Sequence, residues 1–145
     1  MKQQTDEALI PAIERATHAV ALWVEREFAD LRLSQAEAHA LAYLARHPDA
    51  AINDLHHSFG HKRSTLTSLL DRLEARGWLR REAHPASRRL VRIALTEDGR
   101  SVAERVSGAL NALEHRLNTR VGGDIAATLN VLHALEEEIT HERND

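Results

Sequence analysis

Apolar residues recur in steps of three and four near the start of the chain: Leu9, Ile13, Ala16, Val20 and Trp23, with Glu27 ending the series. Val24, Phe28 and Leu31 widen the stripe at its C-terminal end. This spacing predicts a helix over 8–30 with one apolar side. The stripe is longer than a lone helix needs, so it is expected to pack on something beyond its local neighbourhood. A second helix is announced by Leu33-Ser34-Gln35-Ala36-Glu37, in which Ser34 can cap and Glu37 can complete a capping box. Ala38, Leu41, Ala42, Leu44 and Ala45 supply its buried side, and His47-Pro48-Asp49 ends it, because the residue before Pro leaves the helical region.

Ile52-Asn53 reads as a hydrophobic residue followed by an N-cap, opening a short helix from Asp54 to Phe59 that turns Leu55 and Phe59 inward and stops at Gly60. The next helix runs from Arg63 to Arg76 with Leu66, Leu69, Leu70 and Leu73 as core positions and Gly77 as its stop. Beyond Gly77 the period changes. Trp78 and Leu79 lead into a polar run, His84-Pro85-Ala86-Ser87 has turn chemistry, and Leu90 to Leu95 alternates. Val91, Ile93 and Leu95 are expected on one side of this strand, and Leu90, Arg92 and Ala94 on the other. The segment reads as a two-stranded hairpin with a basic tip. Two strands alone are marginal in water, so the hairpin must lean on the helices before it.

Thr96 can cap a long fifth helix, with Glu97 and Asp98 in its favourably charged first turn. Val102, Val106, Leu110, Leu113 and Leu117 give it a continuous stripe. Gly122-Gly123 breaks the chain, and a last helix from Asp124 to about His141 presents Ile125, Leu129, Leu132, Leu135 and Ile139. Three segments are therefore expected: an N-terminal helix in 1–32, a compact lobe in 33–96 and C-terminal helices in 97–145. The fold class is mainly α, and helix, short helix, turn, helix, basic hairpin is the order of a winged helix-turn-helix.

Composition agrees. Of 145 residues 43% are hydrophobic, with few Gly and only three Pro, as expected of a helical domain with a real core. The absence of Cys excludes disulfides, thiolate zinc sites and a cysteine redox sensor. No apolar run approaches the ~20 residues needed to cross a bilayer, and Met1 to Glu7 is polar without a signal-peptide core. A soluble, cytoplasmic protein with no membrane partner is expected.

Charge alters the picture through its distribution. The net charge is −3, yet residues 61–92 carry nine Lys or Arg against three acids, a local excess of +6 inside an acidic chain. Such a segment suits a polyanion. On the helix from Arg63 the side opposite the leucines offers Arg63, Ser64, Thr65, Thr67, Ser68 and Arg72, with Lys62 just before it. Hydroxyls and bases at a helix N-terminus can meet phosphates or base edges in a major groove. Arg88 and Arg89, beside the hairpin turn, can reach phosphates or a minor groove. Asp71, inside this basic surface, is expected to pair with Arg72, Arg76 or another nearby arginine.

At these residues the chain resembles the MarR family (multiple antibiotic resistance regulators). The resemblance rests on Leu33-Ser34, on Phe59-Gly60 followed by Ser64-Thr65-Leu66-Thr67, and on Leu70-Asp71-Arg72-Leu73-Glu74-Ala75-Arg76-Gly77-Trp78-Leu79. Pro85, Arg88-Arg89 and Leu95-Thr96-Glu97-Asp98-Gly99 complete it. It implies a homodimer whose terminal helices interleave and whose two winged lobes bind a palindromic double-stranded DNA operator, with Arg63 to Arg76 as recognition helix and Arg89 as wing arginine. The chain departs from the family pattern where Ser87 replaces the usual wing aspartate. It departs again where His61 and Lys62 open the recognition helix. The resemblance also implies a small aromatic or phenolic effector in a crevice that Trp23, His39, Tyr43 and Arg46 could line; core packing is the plainer reading of Trp23 and Tyr43.

Other chemistries find less support. His133, Glu137 and His141 share a helix face at a spacing that can hold a metal, and His56, His57 and His61 cluster near the turn; solvated faces explain both, and no metal site or cofactor is assigned. No G-x-S-x-G, H-E-x-x-H, P-loop or G-x-G-x-x-G motif appears, so an enzyme is not expected. The reading is a sequence-specific, ligand-responsive repressor. A zinc-responsive regulator of the same fold and a winged-helix interaction module without DNA readout are the alternatives.

Overall fold

The computed structural model describes residues 7–142, so the polar segment Met1 to Glu7 lies outside it except for Glu7. Among the described residues the order is α1 (Leu9–Glu27), α2 (Gln35–Arg46), α3 (Ile52–Phe59), α4 (Arg63–Ala75), β1 (Leu79–His84), β2 (Ser87–Leu95), α5 (Glu97–Val121) and α6 (Ile125–Glu142). β1 and β2 form a two-stranded antiparallel sheet. This is the mainly α winged helix-turn-helix that the pattern predicts. The boundary between two compact units falls inside α5, between Ser107 and Gly108.

Local chemistry sets the element ends. Ser34 and Glu37 form the expected capping box: the Ser34 Oγ accepts from the Glu37 N–H at 3.2 Å, and the Glu37 carboxylate accepts from the Ser34 N–H at 3.3 Å. α3 begins two residues earlier than expected. Asn53 is not its cap; instead Asp54 reaches back and accepts from the Ala51 N–H at 2.8 Å. Gly60 closes α3 in the left-handed region, at φ 60°. α1 ends at Glu27 rather than Asp30, because Phe28 turns into the core and the chain bends through Arg32, whose φ is +50°. Asp124 caps α6 instead of being its first residue, accepting from the Ala127 N–H at 3.2 Å.

In the first unit the core is built from Leu33, Leu41, Leu44, Leu55, Leu66, Leu69, Leu70, Leu73, Leu79 and Ile93, with Val24 and Phe28 from the α1 end. The packed side of α1 is therefore the Val24–Phe28 side; Leu9 and Val20, members of the longer stripe, are exposed. The expected alternation along β2 fails. Val91 is exposed, whereas the neighbours Ile93 and Ala94 are both buried. The base of β2 is covered on both sides because a third backbone segment joins it: the Ile93 N–H donates to the Ala50 carbonyl at 3.0 Å, and Ala51 bridges Arg92. Further along, the hairpin leaves the lobe and both faces meet solvent. In the second unit Leu117, Val121, Leu129, Val131 and Ile139 are exposed.

The start of α5 is locked to the turn between α4 and β1. The Thr96 hydroxyl donates to the Gly77 carbonyl at 2.6 Å and accepts from the Gly99 N–H at 3.0 Å, while the Thr96 N–H donates to the Trp78 carbonyl at 3.0 Å. Gly99 is required here by space, since a Cβ on it would lie 1.7 Å from the Trp78 carbonyl oxygen. Gly99→Ala is expected to destabilise the fold by about 3 kcal/mol, read as a lower urea midpoint; an unchanged midpoint would contradict this packing.

Candidate nucleic-acid interface

α4 positions the first half of the candidate site. Leu66, Leu69, Leu70 and Leu73 are buried, so the three-four step turns Arg63, Ser64, Thr65, Thr67, Ser68, Asp71 and Arg72 outward, and all seven are exposed. Lys62 occupies the N-cap position with extended backbone and no side-chain cap, which leaves the first amide groups of α4 open to an external acceptor. Arg63, Ser64, Thr65, Thr67 and Ser68 thus share one outward end of one helix.

The structure sorts the nine cations of residues 61–92 into two groups. Five are engaged by acids. Arg72 donates from Nε to Glu37 Oε1 at 3.1 Å, and an Arg76 terminal nitrogen lies 3.8 Å from the other oxygen of Glu37. Arg76 also donates to the Leu31 carbonyl and stacks 3.8 Å over the Trp78 ring. Arg81 pairs with Asp71 at 2.7 Å and with Glu74. Arg80 pairs with Glu82 at 3.0 Å, and Arg92 pairs with Asp49 at 2.8 Å and with Glu82. Hydrogen bonds from Arg80 first, then Arg92, hold the Glu82 carboxyl below its ordinary pKa. Asp71 therefore serves a strand arginine rather than Arg72 or Arg76. Among the described residues the other four, Lys62, Arg63, Arg88 and Arg89, have no acidic partner. Two stand at the start of α4 and two at the tip of the hairpin.

That tip is ordered without an acid. The Ser87 hydroxyl accepts from the Arg89 N–H at 3.2 Å. His84 Nδ1 accepts from the Ala86 N–H at 3.1 Å, and its Nε2 donates to the Asp49 carbonyl at 3.1 Å. One imidazole tautomer thus ties the turn to the loop after α2. Ser87, where an aspartate was expected by resemblance, holds backbone and leaves both arginine side chains outward.

Of the four effector-crevice candidates, His39, Tyr43 and Arg46 lie on α2 beside α3. The Phe59 ring meets His39 at 4.5 Å and Tyr43 at 5.4 Å, both edge-on, and Tyr43 also meets His47 at 4.3 Å. Desolvation in this ring cluster, then the charges of Arg46 and His61, lower the His39 pKa from its usual 6.5. Trp23 is placed differently, edge-on to Phe28 at 6.2 Å, and among the described residues no ring contact joins it to the Phe59 cluster. No group of three or more His, Asp or Glu is placed to hold a metal among the described residues. Reading the sequence assigned Glu37 a capping role only. Its second role, toward arginines 35 or more residues away, has no local signal.

A model of the MarR family matches residues 33–91, the span from the start of α2 to the middle of β2. The HTH-type transcriptional regulator PecS of Dickeya dadantii (strain 3937) is 34% identical over 142 residues, covering 93% of this chain and 75% of that protein. The chain belongs to the MarR family. This is a family of transcriptional regulators. The fold is similar to that of the transcription regulator MarR from Oenococcus oeni PSU-1, with a TM-score of 0.80 at 18% identity over 92% of this chain and 99% of that one. It is also similar to that of MepR of S. aureus, solved as a DNA complex, with a TM-score of 0.75 at 17% identity over 94% and 99%. At such identities the shared property is the fold.

The ring cluster of this MarR-family chain has a titratable consequence. A lowered His39 pKa means that the unfolded chain takes up the proton first, so His39 costs the fold stability as pH falls from 6.5 toward the folded value. Phe59→Ala removes the ring edge that partly shields the His39 imidazole from water. The His39 pKa is expected to move up in a proton NMR titration of the imidazole; an unmoved midpoint would assign the shift to something other than burial.

Proposed function

We propose that this protein is a homodimeric, sequence-specific, ligand-responsive repressor that binds a palindromic double-stranded operator in the cytoplasm and catalyses no reaction. The observation that carries the DNA reading is the sorting of the cations: of nine, only Lys62, Arg63, Arg88 and Arg89 lack an acidic partner among the described residues, two beside the hydroxyl-bearing end of α4 and two at the hairpin tip. A helix end that presents Ser64, Thr65, Thr67 and Ser68 between such charges suits a major groove, with the hairpin arginines on flanking phosphates or in the minor groove. MepR, whose fold is similar, was solved as a complex with DNA, which supports DNA as the partner.

Residues 33–96 would form the DNA-binding domain, with 1–32 and 97–145 supplying dimer contacts. Leu9, Ile10, Val20 and Leu22 on α1 support this assignment, as do Leu129, Val131 and Ile139 on α6, because all seven are exposed apolar side chains that a second copy would cover. The effector would be a small aromatic acid or phenol. His39, Tyr43 and Phe59 provide ring edges for it and Arg46 a cation. Effector and DNA then oppose each other through one coupling free energy, typically ~1–3 kcal/mol.

The test is fluorescence anisotropy against a duplex selected by the protein from a randomised library, over a range of salt. Lys62→Ala is expected to flatten the slope of log affinity against log salt by about 1 per lobe. Arg63→Ala with Arg89→Ala should weaken binding at least tenfold. Arg80→Ala, which removes a cation already neutralised by Glu82, should leave the slope nearly unchanged. Equal losses from Arg80 and from the Arg63/Arg89 pair would contradict the assignment, and a monomer in light scattering would contradict the dimer.

A further inference from the structure

Among the described residues Glu37 is the one charged residue in the core, at 6% exposure, and it faces α4 from α2. Buried ion pairs are a poor source of stability, because desolvation offsets their attraction; apolar replacements often do as well. The geometry points to a different use. One Glu37 oxygen accepts from the Ser34 N–H and lies near Arg76, while the other accepts from Arg72 Nε at 3.1 Å. The Arg72 side chain remains 56% exposed. A guanidinium has five donor hydrogens in a fixed plane. Engaging Nε alone restrains that plane and leaves the terminal nitrogens without an acidic partner among the described residues, on an exposed side chain whose helix spacing puts it on the side of Thr65 and Ser68. An unheld arginine would have to give up rotamer freedom on meeting a base.

We propose that Glu37 is a specificity-determining positioning residue: from inside the lobe it holds Arg72 so that the outer guanidinium edge reads a base, and it acts on DNA only through Arg72. The proposal rests on the DNA reading given above and adds to it a residue that touches no DNA. It assigns Arg72 a role distinct from those of Lys62, Arg63, Arg88 and Arg89, which no acid holds among the described residues. Those four supply charge at any sequence, whereas Arg72 supplies discrimination between sequences.

The experiment measures the ratio of affinities for the library-selected duplex and for a scrambled duplex of the same length and composition. Glu37→Gln keeps an acceptor for the Ser34 cap but removes the charge that grips Arg72. Its ratio is expected to fall about tenfold, the loss of one well-oriented base contact, with scrambled-duplex affinity held or raised. Arg72→Ala should lower the ratio by a similar factor, and Glu37→Gln in that background should lower it no further. A purely structural role would instead weaken both duplexes together. That outcome, an unchanged ratio, or a further drop in the Arg72→Ala background would overturn the proposal. If Glu37→Gln loses its helical circular dichroism, Arg72→Lys decides the matter: this exposed change keeps the charge and loses the planar fork, so the ratio should again fall about tenfold, and an unchanged ratio overturns the proposal. A wild-type protein that does not separate the two duplexes refutes the regulator reading itself; discrimination by wild type that survives in the variants refutes only the role of Glu37.

Discussion

Burial of Leu66, Leu69, Leu70 and Leu73 on one side of α4 is the interaction on which the rest of the lobe depends. Each such side chain contributes roughly 1.5–3 kcal/mol when taken out of water. They share one core with side chains from every other element of the lobe: Leu41 and Leu44 from α2, Leu55 from α3, Leu79 and Ile93 from the sheet. A two-stranded sheet and an eight-residue helix have little independent stability. They persist because α4 offers them a common surface. The same burial dictates that the polar half of α4 faces outward, so the constraint that folds the lobe also displays its chemistry.

Electrostatics refines what packing allows. Acids at positions 37, 49, 71, 74 and 82 engage the arginines nearest the body of the lobe, and the outer cations have no acidic partner among the described residues. The local charge excess is thus concentrated at two projecting points instead of being spread over the segment. Close pairing inside and open charge outside favours a rigid lobe with long-range attraction for a polyanion.

Much of this was legible in the chain. The leucine spacing of 66, 69, 70 and 73, the Ser34–Glu37 box and the stops at Gly60 and Gly77 all report on contacts within a few residues, and the structure has each of them. Where the reading missed, contacts distant in sequence had intervened. Asn53 looked like a cap until Asp54 and Ala51 were seen together. Alternation along β2 broke because Ala50 and Ala51 cover its base from the far side of α3. The excess of basic residues was countable from sequence, but which of them are neutralised was not. Pairing of Arg72 with Glu37, or of Arg92 with Asp49, depends on how helices and strands cross.

The joint at Thr96 and Gly99 has a mechanical meaning. With the Trp78 carbonyl filling the space where a side chain on Gly99 would stand, and the Thr96 hydroxyl bridging Gly77 to the new helix, no slack remains between the first turn of α5 and the exit of α4. If the joint is rigid, the first turn of α5 and α4 would act as arms of one lever with its fulcrum at this glycine. A swing of about 10° at the fulcrum carries the far end of α4, roughly 20 Å away along 13 residues, through roughly 3 Å. That is about the spacing of neighbouring base pairs, so on the DNA reading proposed above a modest change in the heading of the first turn of α5 would put the helix tip out of step with a groove.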